Sequence, residues 1–156
     1  MKKISLRHLS IILISLVLFT RLLPHAPNFT PVISVILFSA MCFKGKFSII
    51  IPLISILISD IIIGVSSPFH YLSLSFSNQG FVIDFSWLFL LIYLSFFLIY
   101  LVSKIRLAIH FKNILYNSLV GSVLFFIVSN FAVWLTGGYS YTFPGLVTCY
   151  IAAIPF

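Results

Sequence analysis

The sequence predicts an all-α protein, a polytopic transmembrane helix bundle with five membrane spans and a partial sixth. Three observations lead to this fold class. Apolar residues make up 62% of the 156-residue chain, charged residues make up only 7%, and the mean hydropathy is +1.24. Because soluble domains carry about 25% charged residues, this composition excludes a cytosolic enzyme, a nucleic-acid-binding domain and a disordered tail.

Five apolar runs are wholly or marginally long enough to cross the hydrocarbon core, which takes about 20 residues of helix. They cover residues 9–23, 31–43, 47–63, 85–102 and 114–135. A sixth run, 145–156, covers only about half of the core, so it is predicted to be a partial helix. The whole chain, 1–156, is therefore predicted to be a single transmembrane domain in contact with the lipid bilayer.

Turn-forming residues separate the runs. Pro24 ends the first helix because proline cannot continue one. Thr30 and Pro31 begin the second, as a cap followed by proline at the first helical position. Residues 44–46 are predicted to form a tight polar turn, and residues 64–84 a Ser-rich loop without Lys or Arg.

The basic residues orient the bundle, because cytoplasmic loops are enriched in Lys and Arg. Every Lys and Arg except Arg21 falls on one predicted side: Lys2, Lys3, Arg7, Lys44, Lys46, Lys104, Arg106 and Lys112. We therefore expect a cytoplasmic N-terminus. A signal peptide over residues 1–26 is the alternative, although the end of this segment lacks the small residues of a cleavage site.

Arg21 and Asp60 are predicted to lie at the same depth in the outer leaflet. At about 1.5 Å per helical residue, Arg21 lies about 21 Å from Arg7, and Asp60 lies equally far from Lys46. Ionisable side chains inside a membrane usually face the protein interior and pair with each other. We expect a salt bridge between Arg21 and Asp60, or a polar ligand held by both. Alternatively, Arg21 reaches the outer head groups and Asp60 accepts hydrogen bonds from Ser59 or the backbone.

Four further residues are candidates for the same outer site. The second run is short, so residues 22–30 are expected to dip below the head groups and direct His25 and Asn28 into a cavity. A longer second helix or a locally thinner membrane is the alternative. Asn130 and Trp134 share one face of the fifth helix, where the amide is suited to orient a polar ligand and the indole to cover it.

We expect no catalytic residues, no metal site and no cofactor. The sequence contains no pattern for a Ser-His-Asp set, a pair of catalytic acids or a Gly-rich phosphate loop, and its two acidic residues are far too few for a proton relay. The histidines are isolated, which argues against a metal ion. The protein is therefore not predicted to be an enzyme.

Four segments together resemble a known family. They are RLLPHAPNFTP at 21–31, Pro52 with Ser59-Asp60, NFAVW at 130–134, and TFPGL at 142–146 followed by CYIAAIPF at 149–156. From about residue 21 to 156, the chain resembles an uncharacterised family of small bacterial integral membrane proteins. That family is similar to the substrate-capture (S) components of energy-coupling-factor transporters.

The resemblance implies a six-helix bundle in the bacterial plasma (inner) membrane. Such a bundle binds a vitamin-like molecule in an outward-facing pocket and docks on a separate ATPase-driven transporter module. Carried over to this sequence, the pocket residues are Arg21, His25, Asn28, Asp60, Asn130 and Trp134. The family pattern continues past residue 156 into a further helix, so we expect a longer chain or a partner subunit to supply it.

The sequence thus predicts a membrane transport protein that captures a small polar or vitamin-like molecule, with no nucleic-acid partner. The alternative is a small non-catalytic structural subunit that packs against another membrane subunit. The two hypotheses differ in one observable feature. Capture requires a polar cavity near Asp60, whereas the structural subunit predicts an exposed small-residue face and no enclosed cavity.

Overall fold

The computed structural model describes residues 6–23, 31–66, 72–77, 80–105 and 108–155. Within these residues the chain forms six helices and one antiparallel β-hairpin. In chain order they are α1 (Leu6–Leu22), α2 (Val32–Cys42), α3 (Phe47–Ser66), β1 (Leu72–Ser77), β2 (Gly80–Phe85), α4 (Trp87–Ser103), α5 (Phe111–Leu135) and α6 (Phe143–Ala153). The helical prediction is confirmed for all six apolar runs, with small shifts at the helix ends.

The connection between α3 and α4 differs from the predicted loop. Strands β1 and β2 pair in antiparallel register, with Leu72 opposite Phe85 and Ser77 opposite Gly80. The sequence LSLSFS of β1 alternates apolar and polar residues, which is the period of a half-buried strand. Leu72 is buried and β1 lies against α3, so the alternation has a structural cause. The all-α class holds for the bundle but not for this segment.

Helix length does not support five complete membrane spans. Two helices in the described part of the chain are long and apolar enough to cross a membrane, Phe47–Val65 and Phe111–Leu135. Helices α1 and α4 have 17 residues each, and α2 and α6 have 11. These lengths correspond to about 26 and about 16 Å, less than the hydrocarbon core of about 30 Å. The two long helices point to membrane association.

Helix α2 lies at the centre of the bundle, in contact with α1, α3, α4 and α5. Its sequence, VISVILFSAMC, is apolar around most of the helix, as expected for an element that is largely buried, although Ser34 and Phe38 are exposed. The surrounding helices add Val17, Ile56 and Ile99 to its core. Gly121 lets α5 approach closely, because a Cβ there would lie 3.3 Å from methyl groups of Ile33 and Ile99.

Pro52 interrupts the hydrogen bonds of α3 at a buried position. Because proline has no N–H, the Ser48 carbonyl lacks its usual helical donor. The hydroxyl of Ser39 on α2 donates to this carbonyl at 2.9 Å. The Ser48 hydroxyl donates to the Gly45 carbonyl at 2.8 Å and accepts from the Tyr100 hydroxyl at 2.8 Å.

Lys104 completes this group of polar side chains at the end of α4. Its ammonium donates to the Ala40 carbonyl at 3.1 Å and lies 5.2 Å from the centre of the Tyr100 ring. We call Ser39, Ser48, Tyr100 and Lys104 the Ser48 cluster. It lies at the end of the bundle where the α2–α3 and α4–α5 connections carry lysines, which we call the basic end. Arg21 lies at the opposite end, in the last turn of α1.

Candidate functional site

Arg21 and Asp60 form an ion pair between α1 and α3. The Arg21 Nη2 atom lies 2.6 Å from Asp60 Oδ1, and the predicted pairing is confirmed. The Asp60 side chain is fully buried, whereas the Arg21 side chain is 11% exposed. A buried carboxylate is tolerated only when it is paired and hydrogen-bonded, so the two helices are tied together at this point.

Further contacts hold the Arg21 guanidinium in place. Its Nη1 atom donates to the Ser59 hydroxyl oxygen at 2.9 Å and approaches the Ile56 carbonyl oxygen at 3.5 Å. The Ser59 hydroxyl itself donates to the Ile56 carbonyl at 2.7 Å. Ser59, which sequence reasoning considered as a partner of Asp60, thus orients the arginine.

Tyr93 on α4 is a third partner, and sequence reasoning did not identify it. Its hydroxyl donates to Asp60 Oδ2 at 2.7 Å. Both carboxylate oxygens are therefore engaged, one by Arg21 and one by Tyr93. The sequence did offer one signal for it. Tyr93 lies within the apolar sequence of α4, and a buried tyrosine hydroxyl usually has a hydrogen-bond partner. We call Arg21, Ser59, Asp60 and Tyr93 the Asp60 cluster.

A cavity of about 530 Å³ borders this cluster and is lined by residues of α1, α2, α4, α5 and α6. This volume is in the range of small-molecule sites. The polar part of the described lining comprises Arg21, Ser122, Ser129 and Asn130. Arg21 and Asn130, predicted to lie at one outer site, therefore line the same cavity. Asp60 is fully buried, and its ion pair holds Arg21, which lines the cavity.

The rest of the lining is apolar and includes three phenylalanines, Phe96, Phe125 and Phe126. The rings of Phe96 and Phe125 are stacked, with centroids 5.7 Å apart and an interplanar angle of 3°. Phe96 is buried, so this pair forms a packed apolar part of the wall. The cavity thus combines one cation, a few neutral polar groups and a largely apolar surface.

The polar groups of α5 present acceptors to the cavity. The Asn130 side-chain amide donates to the Phe126 carbonyl at 2.7 Å. The Ser129 hydroxyl donates to the Phe125 carbonyl at 2.6 Å. The Asn130 amide oxygen and the Ser129 hydroxyl lone pairs are acceptors. Ser122 also lies on the cavity wall.

Trp134 is not part of the cavity lining that the described residues form. Its Nε1 donates to the Ser140 carbonyl at 3.0 Å, and its ring packs on Phe131 and Tyr141, with centroids 5.6 and 5.7 Å apart. The loop after α5 folds back on the indole, with Gly137 at φ +83°. The helical face shared with Asn130 was therefore insufficient to bring Trp134 to the cavity, and its role as a ligand cover stays a prediction.

His25 and Asn28 lie outside the described residues, in the segment 24–30. Their contribution to the site stays a prediction. Within the described residues, no group of three or more His, Cys, Asp or Glu side chains is arranged to hold a metal ion.

The chain belongs to a family of unknown function (DUF6580), which matches it over residues 2–156. No curated protein and no solved structure shows significant similarity to it. The family description assigns no activity, so function has to be argued from the site.

Proposed function

We propose that this member of a family of unknown function is a membrane transport protein that captures a small polar or vitamin-like molecule. The observation that carries the proposal is the cavity of about 530 Å³ with Arg21 on its wall. An arginine at the centre of a membrane helix costs about 2.5–3.5 kcal/mol on the insertion scale, and less toward the helix end, where Arg21 lies. Such residues usually mark substrate pathways, and the Asp60 cluster holds this one at the cavity.

The outer surface of α5 supports a location in the lipid bilayer. Only 11% of its most apolar window is buried in the bundle, unlike the core helix of a soluble protein. An exposed apolar stripe runs along it at four-residue spacing: Leu115, Leu119, Val123, Ile127 and Phe131. Successive residues at this spacing lie about 40° apart around the helix, so the stripe winds over much of the exposed side of α5. A large exposed apolar surface marks a membrane or protein contact. We assign this stripe to lipid.

The distribution of charge supports the orientation. Lys44, Lys46 and Lys104 lie at the basic end, opposite Arg21. Positive residues favour the cytoplasmic side of a membrane. In this orientation the N-terminus is cytoplasmic and the Arg21 end, with its cavity, faces outward. The family resemblance makes the bacterial inner membrane the proposed location, and α3 and α5 are the helices long enough to cross it among the described residues.

The contacts of Asp60 favour binding over catalysis. Arg21 and Tyr93 engage its two oxygens, so the carboxylate is used for positioning and not as an acid or base. The structural subunit predicts no enclosed cavity, and this cavity is partly open and does not include Asp60 in its described lining, so ligand binding is the measurement that separates the two functions. A separate ATPase-driven module or another membrane subunit is the proposed partner for release of the ligand.

Thermal unfolding of the full chain in lipid nanodiscs tests the proposal. We expect at least one member of a panel of water-soluble vitamins to raise Tm. Ser122→Phe should abolish the increase because Ser122 lines the cavity. Val123→Phe is the matched control, because the adjacent Val123 is 57% exposed on the lipid stripe. A Tm increase that survives Ser122→Phe would show that the cavity is not the binding site.

Asp60→Ala provides a second variant. In the fraction that folds, ligand-dependent stabilisation should be lost because Arg21 is no longer held at the wall. Unchanged binding by Asp60→Ala would contradict the assigned role of the Asp60 cluster. The Ser122→Phe and Val123→Phe pair still tests the cavity if Asp60→Ala does not fold.

A further inference from the structure

We infer that the basic end of the bundle binds anionic phospholipids, with lysines on the phosphate groups and apolar side chains of the α4–α5 connection inserted beneath them. This inference goes beyond ligand capture and rests only on the proposed membrane location. Three features of the described residues carry it: the placement of the acidic residues, a lysine that the fold holds in position, and exposed apolar side chains between lysines.

Neither acidic residue of the chain lies at the basic end. The chain has two acidic residues, and Asp60 is buried in its ion pair with Arg21 at the other end. The backbone of Asp84 lies in β2, before α4 begins, whereas Lys104 directly follows the last residue of α4. The 17 residues of this helix span about 26 Å. The positive charge of the basic end is therefore left for an external anion.

Lys104 is the cation that the fold holds in position. Its ammonium donates to the Ala40 carbonyl at 3.1 Å and lies 5.2 Å from the centre of the Tyr100 ring. An ammonium carries three N–H donors, so a phosphate oxygen can bond to it while the contact with Ala40 is kept. Basic pockets between helices on the cytoplasmic side of a membrane bind lipid head groups.

The α2–α3 turn brings two more lysines to the same end. Lys44 and Lys46 are exposed and flank Gly45, which has a φ of +62°. The Gly45 carbonyl accepts from the Ser48 hydroxyl at 2.8 Å, and this hydroxyl is hydrogen-bonded to the Tyr100 hydroxyl at 2.8 Å. These bonds join the turn to the end of α4, so the lysines of both connections face one layer of head groups.

The α4–α5 connection places apolar side chains between lysines. Ile105, Ile109 and Phe111 are exposed, and Lys104 and Lys112 lie at the two ends of this sequence. Water is an unfavourable environment for such apolar surface. At a membrane surface the apolar side chains enter the boundary of head groups and acyl chains, while lysines reach the phosphates.

Hydrogen bonds give the connection a defined shape before α5 begins. The side-chain amide of Asn113 donates to the Ala108 carbonyl at 3.0 Å, and the backbone N–H of His110 donates to the same carbonyl at 2.8 Å. The exposed apolar side chains are thus carried by an ordered segment. Anionic phospholipids supply the negative charge and the apolar layer that this surface requires, at the same level of the membrane.

Two lipids with identical acyl chains test the charge preference. The full chain in detergent is titrated with dioleoyl phosphatidylglycerol or with zwitterionic dioleoyl phosphatidylcholine, and bound lipid is measured by native mass spectrometry. Because each lysine near an anionic surface adds to the attraction, we expect phosphatidylglycerol to bind at least about tenfold more tightly. Equal affinities would overturn the lipid surface and indicate an acidic protein as the partner of the lysines.

Two triple variants isolate the lysines. Lys44→Gln/Lys46→Gln/Lys112→Gln removes three charges from exposed positions, so the fold is expected to persist. The affinity for phosphatidylglycerol should fall to that for phosphatidylcholine, whose affinity stays unchanged. Lys44→Arg/Lys46→Arg/Lys112→Arg retains the charges and should retain the preference. A preference for phosphatidylglycerol that survives the glutamine variant would overturn the inference.

A matched pair of isoleucine variants tests the inserted segment. Ile105 and Ile109 are 75% and 64% exposed, and Ile151 and Ile154 at the end of α6 are 61% and 71% exposed. Ile105→Ser/Ile109→Ser should weaken the binding of phosphatidylglycerol, whereas Ile151→Ser/Ile154→Ser should leave it unchanged. Equal effects of the two variants would overturn the assignment of the connection to the lipid surface.

Glycerol phosphate separates a lipid from a free phosphate, because it carries the phosphate without acyl chains. We expect it not to displace phosphatidylglycerol at equal concentration; displacement would overturn the lipid as the bound species. None of these results bears on ligand capture, which is tested by the vitamin panel with the Ser122→Phe and Val123→Phe pair. Failure of capture would likewise leave the preference for anionic lipid standing.

Discussion

The Asp60 cluster and the Ser48 cluster lie toward opposite ends of α3 and α4, and each places polar groups inside an apolar bundle. Helix α4 contributes a tyrosine to each, Tyr93 and Tyr100, and α3 contributes serine to each. At the Asp60 cluster the tyrosine donates to a carboxylate. At the Ser48 cluster it donates to a hydroxyl. The same residue type thus supports an ionic group at one end and a neutral one at the other.

The difference lies in where the hydrogen bonds end. At the Ser48 cluster the hydroxyls of Ser39 and Ser48 and the ammonium of Lys104 all donate to backbone carbonyls. These bonds repair the interruption at Pro52 and close helix ends, as in ordinary helix capping. At the Asp60 cluster, Arg21 instead contacts the side chains of Asp60 and Ser59, and it also lines a cavity. Polar side chains at the basic end therefore stabilise the backbone, whereas Arg21 of the Asp60 cluster borders a cavity that is suited to binding.

Removing the cation from the Asp60 cluster should have the largest effect on stability. Arg21→Gln leaves the fully buried Asp60 carboxylate without its ionic partner, and breaking a buried pair in this way costs about 3–5 kcal/mol. We expect a loss of this size in the free energy of unfolding, measured by chemical denaturation in detergent micelles. Arg21→Gln/Asp60→Asn should recover most of it.

Lys104→Gln is the matched control at the basic end. Lys104 is partly exposed and donates to one carbonyl, so the expected loss is about 1–2 kcal/mol. Equal losses for Arg21→Gln and Lys104→Gln would remove the distinction between the two clusters.

The two tyrosines of α4 give the next largest difference in unfolding free energy. The same change, from tyrosine to phenylalanine, can be made in each cluster. Tyr93→Phe removes a hydrogen bond to a carboxylate, which is worth about 1.5–3 kcal/mol, whereas Tyr100→Phe removes one between neutral groups, worth about 0.5–1.5 kcal/mol. We expect Tyr93→Phe to be the more destabilising in the same unfolding measurement. It should also weaken the ligand-dependent increase in Tm, while Tyr100→Phe leaves that increase unchanged; the reverse order would contradict the comparison.

The smallest effect concerns the repair of α3 at Pro52. Ser39→Ala should cost about 1 kcal/mol in the native background because the Ser48 carbonyl loses its donor. In a Pro52→Ala background the new N–H can bond to that carbonyl, so Ser39→Ala should cost less. A double-mutant cycle on unfolding free energies measures this coupling. Additive effects of the two substitutions would show that Ser39 does not compensate for the proline.

Much of the Asp60 cluster was predictable because depth along a helix can be read from residue numbers. The constant rise of a helix placed Arg21 and Asp60 at one level, and the cost of isolated charges in an apolar medium implied that they pair. Tyr93 was not predicted because α4 is apolar on every side, and such a pattern does not indicate which face turns toward α3. Ser122 and Ser129 were not predicted to line the cavity, because the sequence of α5 does not indicate which of its faces turns inward.

Other outcomes depended on the path of the chain. Helix periodicity correctly aligned Trp134 with Asn130 along α5, but the loop after α5 folds back and occupies the indole. The hairpin at residues 72–85 has an alternating pattern in β1 that the Ser-rich composition of the segment obscured. In both places, local contacts within a connecting segment decide the structure, and the periodicity of the neighbouring helices does not predict them.

The sequence by itself determined the apolar character of the chain, its six helices and the separation of Arg21 from the lysines. These properties follow from composition, proline and glycine positions and the fixed geometry of a helix. Tertiary structure alone decided that Asp60 lies buried behind Arg21, that Tyr93 joins them, and that Ser122, Ser129 and Asn130 line one cavity. The physical reason is that a uniformly apolar helix is free to rotate about its axis until packing against its neighbours selects the inward face.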